Sequence, residues 1–218
     1  MISREQLIIK GHNGRTVKNK FLKHSDDVQS VALVFPGLAY NTDMPLLHYT
    51  IETILGSGIN VLTVDYDYSN IPEFLELQIR ERSDWVIEDI EAALKAITEE
   101  RNQNVGCLVG KSLGTLAVGH LLETYPNLRE AKTIWLTPLI KNPQLLEQML
   151  AYMKDAVLVV GTEDSHYDRD IVDRLNAATQ LSGIIIDRAN HSLEIEGEVT
   201  QSLRILMQIV AILEQFLA

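Results

Sequence analysis

Residues 105–119 read VGCLVGKSLGTLAVG, and the fold turns on how this stretch is taken. The apolar run Val105, Cys107, Leu108, Val109 ends at Gly110-Lys111-Ser112-Leu113-Gly114, and small residues (Thr115, Ala117, Gly119) follow at helical spacing. The five central residues fit G-x-S-x-G, in which a strand turns so sharply into a helix that the serine backbone is strained. Glycine flanks the serine because a side chain there would strike the neighbouring strand or helix. The expected product is a hydroxyl held above a sheet, over the free N–H groups of a helix N-terminus.

Gly110-Lys111-Ser112 also imitates the tail of a phosphate-binding loop, G-x-x-x-x-G-K-[ST]. That pattern needs glycine at position 105, where Val105 stands, and the residues before Gly110 form a buried-strand run rather than a loop able to wrap phosphate. A P-loop nucleotide binder is therefore the weakest of the rival readings.

Working upstream, Val31–Phe35 (VALVF) is apolar at every position, as in a central parallel strand covered on both faces. Pro36-Gly37 ends it, a loop runs over 38–43, a helix is predicted over 44–57 and a strand over 59–65. Strand, loop, helix, strand implies right-handed βαβ units. Residues 5–10 and 15–23 read as an antiparallel N-terminal hairpin around the turn 11–14. Downstream, helices are predicted over 83–100, 113–124, 143–153, 168–179 and 197–217, and strands over 132–137, 156–161 and 183–187. Residues 66–80 mix aromatic and acidic residues without a period and contain Pro72. Two readings stay open for them, a cover over part of the site and a long connection. With no repeat or linker composition, residues 1–218 read as one domain, a mostly parallel doubly wound α/β sheet with helices on both faces and a minimal lid.

A serine hydroxyl needs a base, a carboxylate to orient the base, and N–H donors for an oxyanion. Asp164 follows the strand AVLVVG in GTED, and His191 follows the next strand in DRANHSLE. Ser112, Asp164, His191 is a recognised triad order, with each residue at a strand's carboxyl end. Glu163, Asp168 and Asp187 are the competing acids and His166 the competing histidine. Asp164 is preferred because its loop reaches the neighbouring His191 loop. The backbone N–H groups of Leu113 and Leu38 are the expected oxyanion donors. Tyr40, Leu113, Trp135 and Leu139 are the expected pocket walls, with the Tyr40 hydroxyl either donating to the site or packing at its rim. Lys111 either stabilises negative charge beside the serine or is tied to an acidic neighbour.

VGCLVG-K-SLG, the PGLAY loop, GTED and the NHSLE loop together resemble the α/β-hydrolase superfamily, from about residue 30 onward. Gly-Lys-Ser-Leu-Gly and the lid-poor layout are similar to the small intracellular hydrolases related to dienelactone hydrolase. Pro36-Gly37 stands where the superfamily often has His-Gly, and Thr115 where a smaller residue is usual. The resemblance implies a Ser112/His191/Asp164 triad with no metal and no organic cofactor. It also implies a small-molecule acyl substrate, an ester or thioester. The rival is a hydrolase fold kept as a non-catalytic binding or scaffold module.

Composition bounds the partners. The chain has 218 residues, with 19 basic and 30 acidic side chains and a formal net charge of −11, which repels phosphate backbones and argues against nucleic acid. No apolar stretch approaches the ~20 residues of a membrane span, and the first residues show no apolar core of a signal peptide. The single cysteine, Cys107, has no internal disulfide partner, so a cytoplasmic location is expected.

Overall fold

The apolar runs distribute their residues alternately into two cores. Val31, Leu33 and Phe35 enter one, and Ala32 and Val34 the other. The same parity sends Trp135 and Leu158 to the first core, and Ile134, Leu136, Val157 and Val159 to the second. A strand whose side chains alternate by two has both faces covered only when helices lie on both sides of its sheet. This is why the runs are continuously hydrophobic.

The computed structural model describes residues 2–25, 27–179 and 182–218. In chain order the elements are β1 (Ser3–Glu5), β2 (Asn19–Lys23), β3 (Ser30–Phe35), α1 (Pro45–Gly56), β4 (Asn60–Val64), α2 (Pro72–Glu76), α3 (Ile79–Lys95) and β5 (Asn104–Lys111). They continue with α4 (Gly114–Thr124), β6 (Lys132–Leu136), α5 (Pro143–Tyr152), β7 (Ala156–Gly161), α6 (Arg169–Ala178), β8 (Ser182–Ile186) and α7 (Val199–Leu217). One sheet contains all eight described strands in the order β1-β2-β4-β3-β5-β6-β7-β8. β1 and β2 pair antiparallel, as do β2 and β4, and every later pairing is parallel. Helices α3 to α6 contribute to the first core, and α1 and α7 to the second. Among the described residues, no helix is long and apolar enough to cross a membrane.

Two differences from the sequence reading have physical causes. The N-terminal hairpin exists, but its strands are shorter than 5–10 and 15–23. Ser3–Glu5 pairs with Phe21–Lys23, and only a single bridge, Lys10 to Thr16, survives near the turn. Between them the buried Asn19 side chain takes over the ladder: its Oδ1 accepts from Leu7 N–H (2.8 Å), and its Nδ2 donates to Leu7 O (2.9 Å) and Val17 O (3.0 Å). The 66–80 segment is partly helical. Pro72 opens α2 at the first-turn position it favours. α3 begins at Ile79 rather than 83, behind a reciprocal cap between Gln78 and Glu81.

Candidate active site

Ser112 sits at the carboxyl end of β5, where the chain turns into α4. Its φ is +52°, a left-handed conformation that costs a non-glycine residue on the order of 1–3 kcal/mol unless the surroundings enforce it. They do enforce it. A Cβ on Gly114 would lie 2.0 Å from Phe35 O, and one on Gly110 would lie 2.7 Å from Gly114 O. Both contacts are with backbone, so the turn, β3 and α4 approach as closely as glycine allows. Ser112 N–H donates to Leu136 O (3.0 Å) in β6, and Ser112 O accepts from the N–H and hydroxyl of Thr115 (2.9 and 2.5 Å). Thr115 thus pins the turn, which explains a hydroxyl at a position that usually carries a smaller side chain.

The loops after β7 and β8 are stitched together by Thr162 N–H to Ile186 O and Glu163 N–H to Ala189 O, both 3.0 Å. Gly161 allows this contact, since a Cβ there would meet Ala189 O at 2.1 Å. The stitching carries Asp164 to His191. His191 Nδ1 lies 2.7 Å from Asp164 Oδ2, and His191 Nε2 lies 2.8 Å from Ser112 Oγ. With Asp164 ionised, Nδ1 carries the proton and Nε2 is left to accept the serine hydroxyl. The other Asp164 oxygen accepts from His166 N–H at 2.8 Å. Burial pushes the Asp164 carboxyl up, but the bonds from His191 and His166 and their charge outweigh it and hold it below the usual carboxylate range.

Two of the competing acids are engaged elsewhere, and the Glu163 side chain is exposed. Asp168 caps α6 by accepting from Ile171 N–H (3.1 Å), and Asp187 accepts from the Thr162 hydroxyl (3.3 Å). The His166 ring lies 5.4 Å from that of His191, at the rim of the same cluster.

Leu38 is at the tip of the turn after β3, closed by Gly37 N–H to Tyr40 O (3.2 Å). Gly37 packs on the serine, for a Cβ there would be 3.3 Å from Ser112 Cβ. Among the described residues, neither Leu38 N–H nor Leu113 N–H is paired with a protein acceptor. Leu113 N–H, next to Ser112 at the N-terminus of α4, is placed where negative charge is favourable, and Leu38 N–H follows the glycine that packs on the serine.

Lys111 is only 1% exposed. Its Nζ donates to His191 O (3.0 Å) and the Thr137 hydroxyl (3.2 Å) and lies 4.7 Å from the centre of the Tyr40 ring. Burial pushes its amine down to about 8, with Asp164 pulling the other way. The sequence left Lys111 between stabilising negative charge beside the serine and being tied to an acidic neighbour. The structure instead makes it a buried strut under the His191 loop. An amine so committed has no reach to a phosphate, which removes the nucleotide-loop reading.

Of the expected pocket residues, Trp135 is the one turned into the core, while Leu139 is half-buried and Tyr40 lines a cavity without pointing its hydroxyl at the serine. Trp135 is fully buried in the first core with its indole N–H on Thr133 Oγ1 (2.9 Å). Strand parity turns it into the core that α3 to α6 cover. Leu139 is half-buried against the same core, its N–H on Thr115 Oγ1 (3.4 Å). The Tyr40 hydroxyl accepts from Leu46 N–H (3.1 Å) at the start of α1 and so does not point at the serine. Sequence reasoning missed the cavity of about 320 Å³ beside Leu38 and Leu113, walled by α3, α4 and α5. The apolar stripes of those helices were its signal, but stripes that line a cavity and stripes that fill a core look alike.

No protein-family model and no curated protein sequence matches the chain. Solved structures do. An esterase domain from Rhodothermus marinus aligns over 100% of both chains at 13% identity and TM-score 0.67. An α/β serine hydrolase without a lid from Xanthomonas campestris aligns over 98% of this chain and 93% of that one, at 15% identity and TM-score 0.68. The chain has the α/β-hydrolase fold. A putative α/β-hydrolase from Agrobacterium tumefaciens covers 97% of this chain and 95% of its own, at 12% identity and TM-score 0.72. At these identities the likeness speaks for the α/β-hydrolase architecture, and the chemistry rests on the residues above.

Proposed function

We propose that this protein is a serine hydrolase that cleaves an ester or thioester of a small-molecule acyl substrate through an acyl-enzyme. The observation that carries this reading is the continuous hydrogen-bonded line Ser112 Oγ, His191 Nε2, His191 Nδ1, Asp164 Oδ2, anchored on three strand ends. His191 takes the Ser112 proton as Oγ attacks the carbonyl carbon. Leu38 and Leu113 N–H groups receive the oxyanion. The bond from carbon to the leaving oxygen or sulfur breaks, and His191 returns the proton to the leaving group. Water then loses a proton to His191, attacks the acyl-enzyme and releases the acid, and Ser112 recovers its hydrogen. Asp164 stays ionised throughout and stabilises the imidazolium. Apart from the substrate and water, every step uses protein groups, and no cofactor or metal is called for. Several proteins of similar fold are named esterases. A cytoplasmic location belongs to the same proposal and rests on the single, buried Cys107.

Rapid mixing with p-nitrophenyl butyrate tests it. The expected result is a burst of nitrophenolate, one equivalent per chain, with the butyryl group recovered on Ser112. Absence of burst and of turnover across short p-nitrophenyl esters and acyl-CoA thioesters would leave the scaffold reading in its place.

A further inference from the structure

One cavity borders the His191 loop, and a second borders Leu38 and Leu113 beside the Ser112 turn. The first, about 520 Å³, is walled by Asn190, Ser192 and Glu194 of the His191 loop together with Tyr40 and the apolar Leu203 and Leu206 of α7. The second, about 320 Å³, is walled by Leu38, Leu113 and Leu116, by Val86 and Ile87 of α3 and by Leu145 of α5. No residue of the Asp164 or His191 loops lines the second cavity.

The reaction assigns sides to these cavities. A leaving group must receive its proton from His191 Nε2, so it departs on the His191 side. The carbonyl oxygen is turned to the N–H groups of Leu38 and Leu113. The remaining substituent of the carbonyl carbon, the acyl arm, is then directed away from His191, toward the cavity that both of those leucines border.

Three of the polar side chains on the wall of that cavity are already committed. His120 Nε2 pairs with Glu91 (3.1 Å), Gln148 Nε2 donates to Glu123 (2.7 Å), and Asn142 Oδ1 accepts from Leu145 N–H (3.1 Å). The Arg82 guanidinium donates to Leu75 O and rests 5.7 Å from the centre of the Phe74 ring. Its Nε is buried without a hydrogen-bond partner. Gln144 stands exposed at the rim.

We propose that the cavity between Leu38, Leu113, Ile87 and Leu116 is the acyl-arm pocket, and that the substrate is an ester or thioester of an uncharged, apolar carboxylic acid of medium length. This rests on the hydrolase reading. At about 30 Å³ per water-sized group, the volume takes an arm of roughly ten such groups.

The test is a p-nitrophenyl ester series from acetyl to decanoyl, set against alkyl acetates of increasing alcohol length. kcat/KM is expected to climb about fourfold per acyl methylene, the factor that about 0.8 kcal/mol per buried CH₂ sets, until the pocket is full. It should stay nearly flat along the alcohol series. Ile87→Trp, or Leu116→Phe from the opposite wall, should lower the hexanoyl-to-acetyl ratio at least tenfold. An optimum at acetyl, a ratio indifferent to both variants, or a preference for the adipoyl half-ester that Arg82→Met abolishes overturns the proposal. A second arm separates the pocket from the reaction: hexanoate titrated into Ser112→Ala, read from side-chain methyl signals. Shifts at Ile87, Leu113 and Leu116 with Leu203 and Leu206 unmoved support the pocket even if no ester is cleaved, in which case the hydrolase reading falls. Shifts at Leu203 and Leu206 instead overturn the pocket even if esters are cleaved.

Discussion

The strand ends that carry Ser112, Asp164 and His191 are locked by backbone, whereas the 66–90 segment beside them is held by rings. At the strand ends, glycines at 110, 114 and 161 bring carbonyls so close that no Cβ fits. In the neighbouring segment Tyr66 stacks on Tyr68 (4.5 Å), Tyr68 on Phe74 (4.5 Å), and Phe74 meets Trp85 edge-on (5.6 Å). Buried Asp89 ties the stack down, accepting from His12 N–H (2.8 Å) and the Tyr68 hydroxyl (2.9 Å). Backbone contacts fix reacting atoms to within tenths of an ångström, while packed rings tolerate exchange of apolar side chains. On the proposed function the first region serves chemistry and the second shape, and substitutions should separate accordingly.

The largest effect is expected at Asp164. Asp164→Asn should lower kcat about 10⁴-fold by presenting the wrong imidazole tautomer, with KM little changed. Its stability effect has a defined sign. A carboxyl whose folded pKa lies below its unfolded value stabilises the fold above the ordinary range near 4 and loses that contribution as pH falls through the folded value. The variant should accordingly show a flatter acid limb in a thermal melt series.

Next comes Lys111. Lys111→Met frees the His191 carbonyl and should reduce kcat about tenfold to a hundredfold through misplacement of the imidazole. Here the linkage runs the other way. The folded amine titrates near 8 and the unfolded one near 10.5, so the folded state sheds its proton first. Wild-type stability should rise between those pH values relative to the variant. A parallel pH dependence in the two proteins would show that Lys111 is not the buried cation described.

Asp89→Ala probes the ring-held segment. Leaving His12 N–H and the Tyr68 hydroxyl unpaired should cost about 2–4 kcal/mol by denaturant unfolding, while turnover of an acetyl ester changes less than threefold. Loss of turnover in a folded variant would erase the distinction between the two regions. The smallest effect is expected at Tyr40. Tyr40→Phe removes the acceptor of Leu46 N–H and should cost about 1 kcal/mol, with ester turnover within twofold because the hydroxyl faces α1.

The same contrast explains what the sequence could disclose. Chemistry at the strand ends demands particular residue types at particular places. Gly110-x-Ser112-x-Gly114, an aspartate after β7 and a histidine after β8 therefore announced the juxtaposition that the structure displays. The sheet was equally legible, because burial on both faces makes strands read as unbroken apolar runs. Where function asks only for an apolar surface, the sequence is ambiguous. Trp135 looked like a pocket wall beside a strand end, and strand parity placed it in the buried core. The 66–80 segment had no clean period because its rings pack on one another rather than along a single helix face. Lys111 was unreadable for a different reason: burying an amine depends on partners at positions 40, 137 and 191, far away in the chain.

The most direct test of the central claim is the reactivity of Ser112 in the folded protein. A fluorophosphonate incubated with the native chain, followed by peptide mass spectrometry, should place one phosphonyl group on Ser112. The rate should fall at least a hundredfold in His191→Ala, and no adduct should form after unfolding. A folded chain that leaves Ser112 unmodified, or that labels equally fast without His191, would contradict the account.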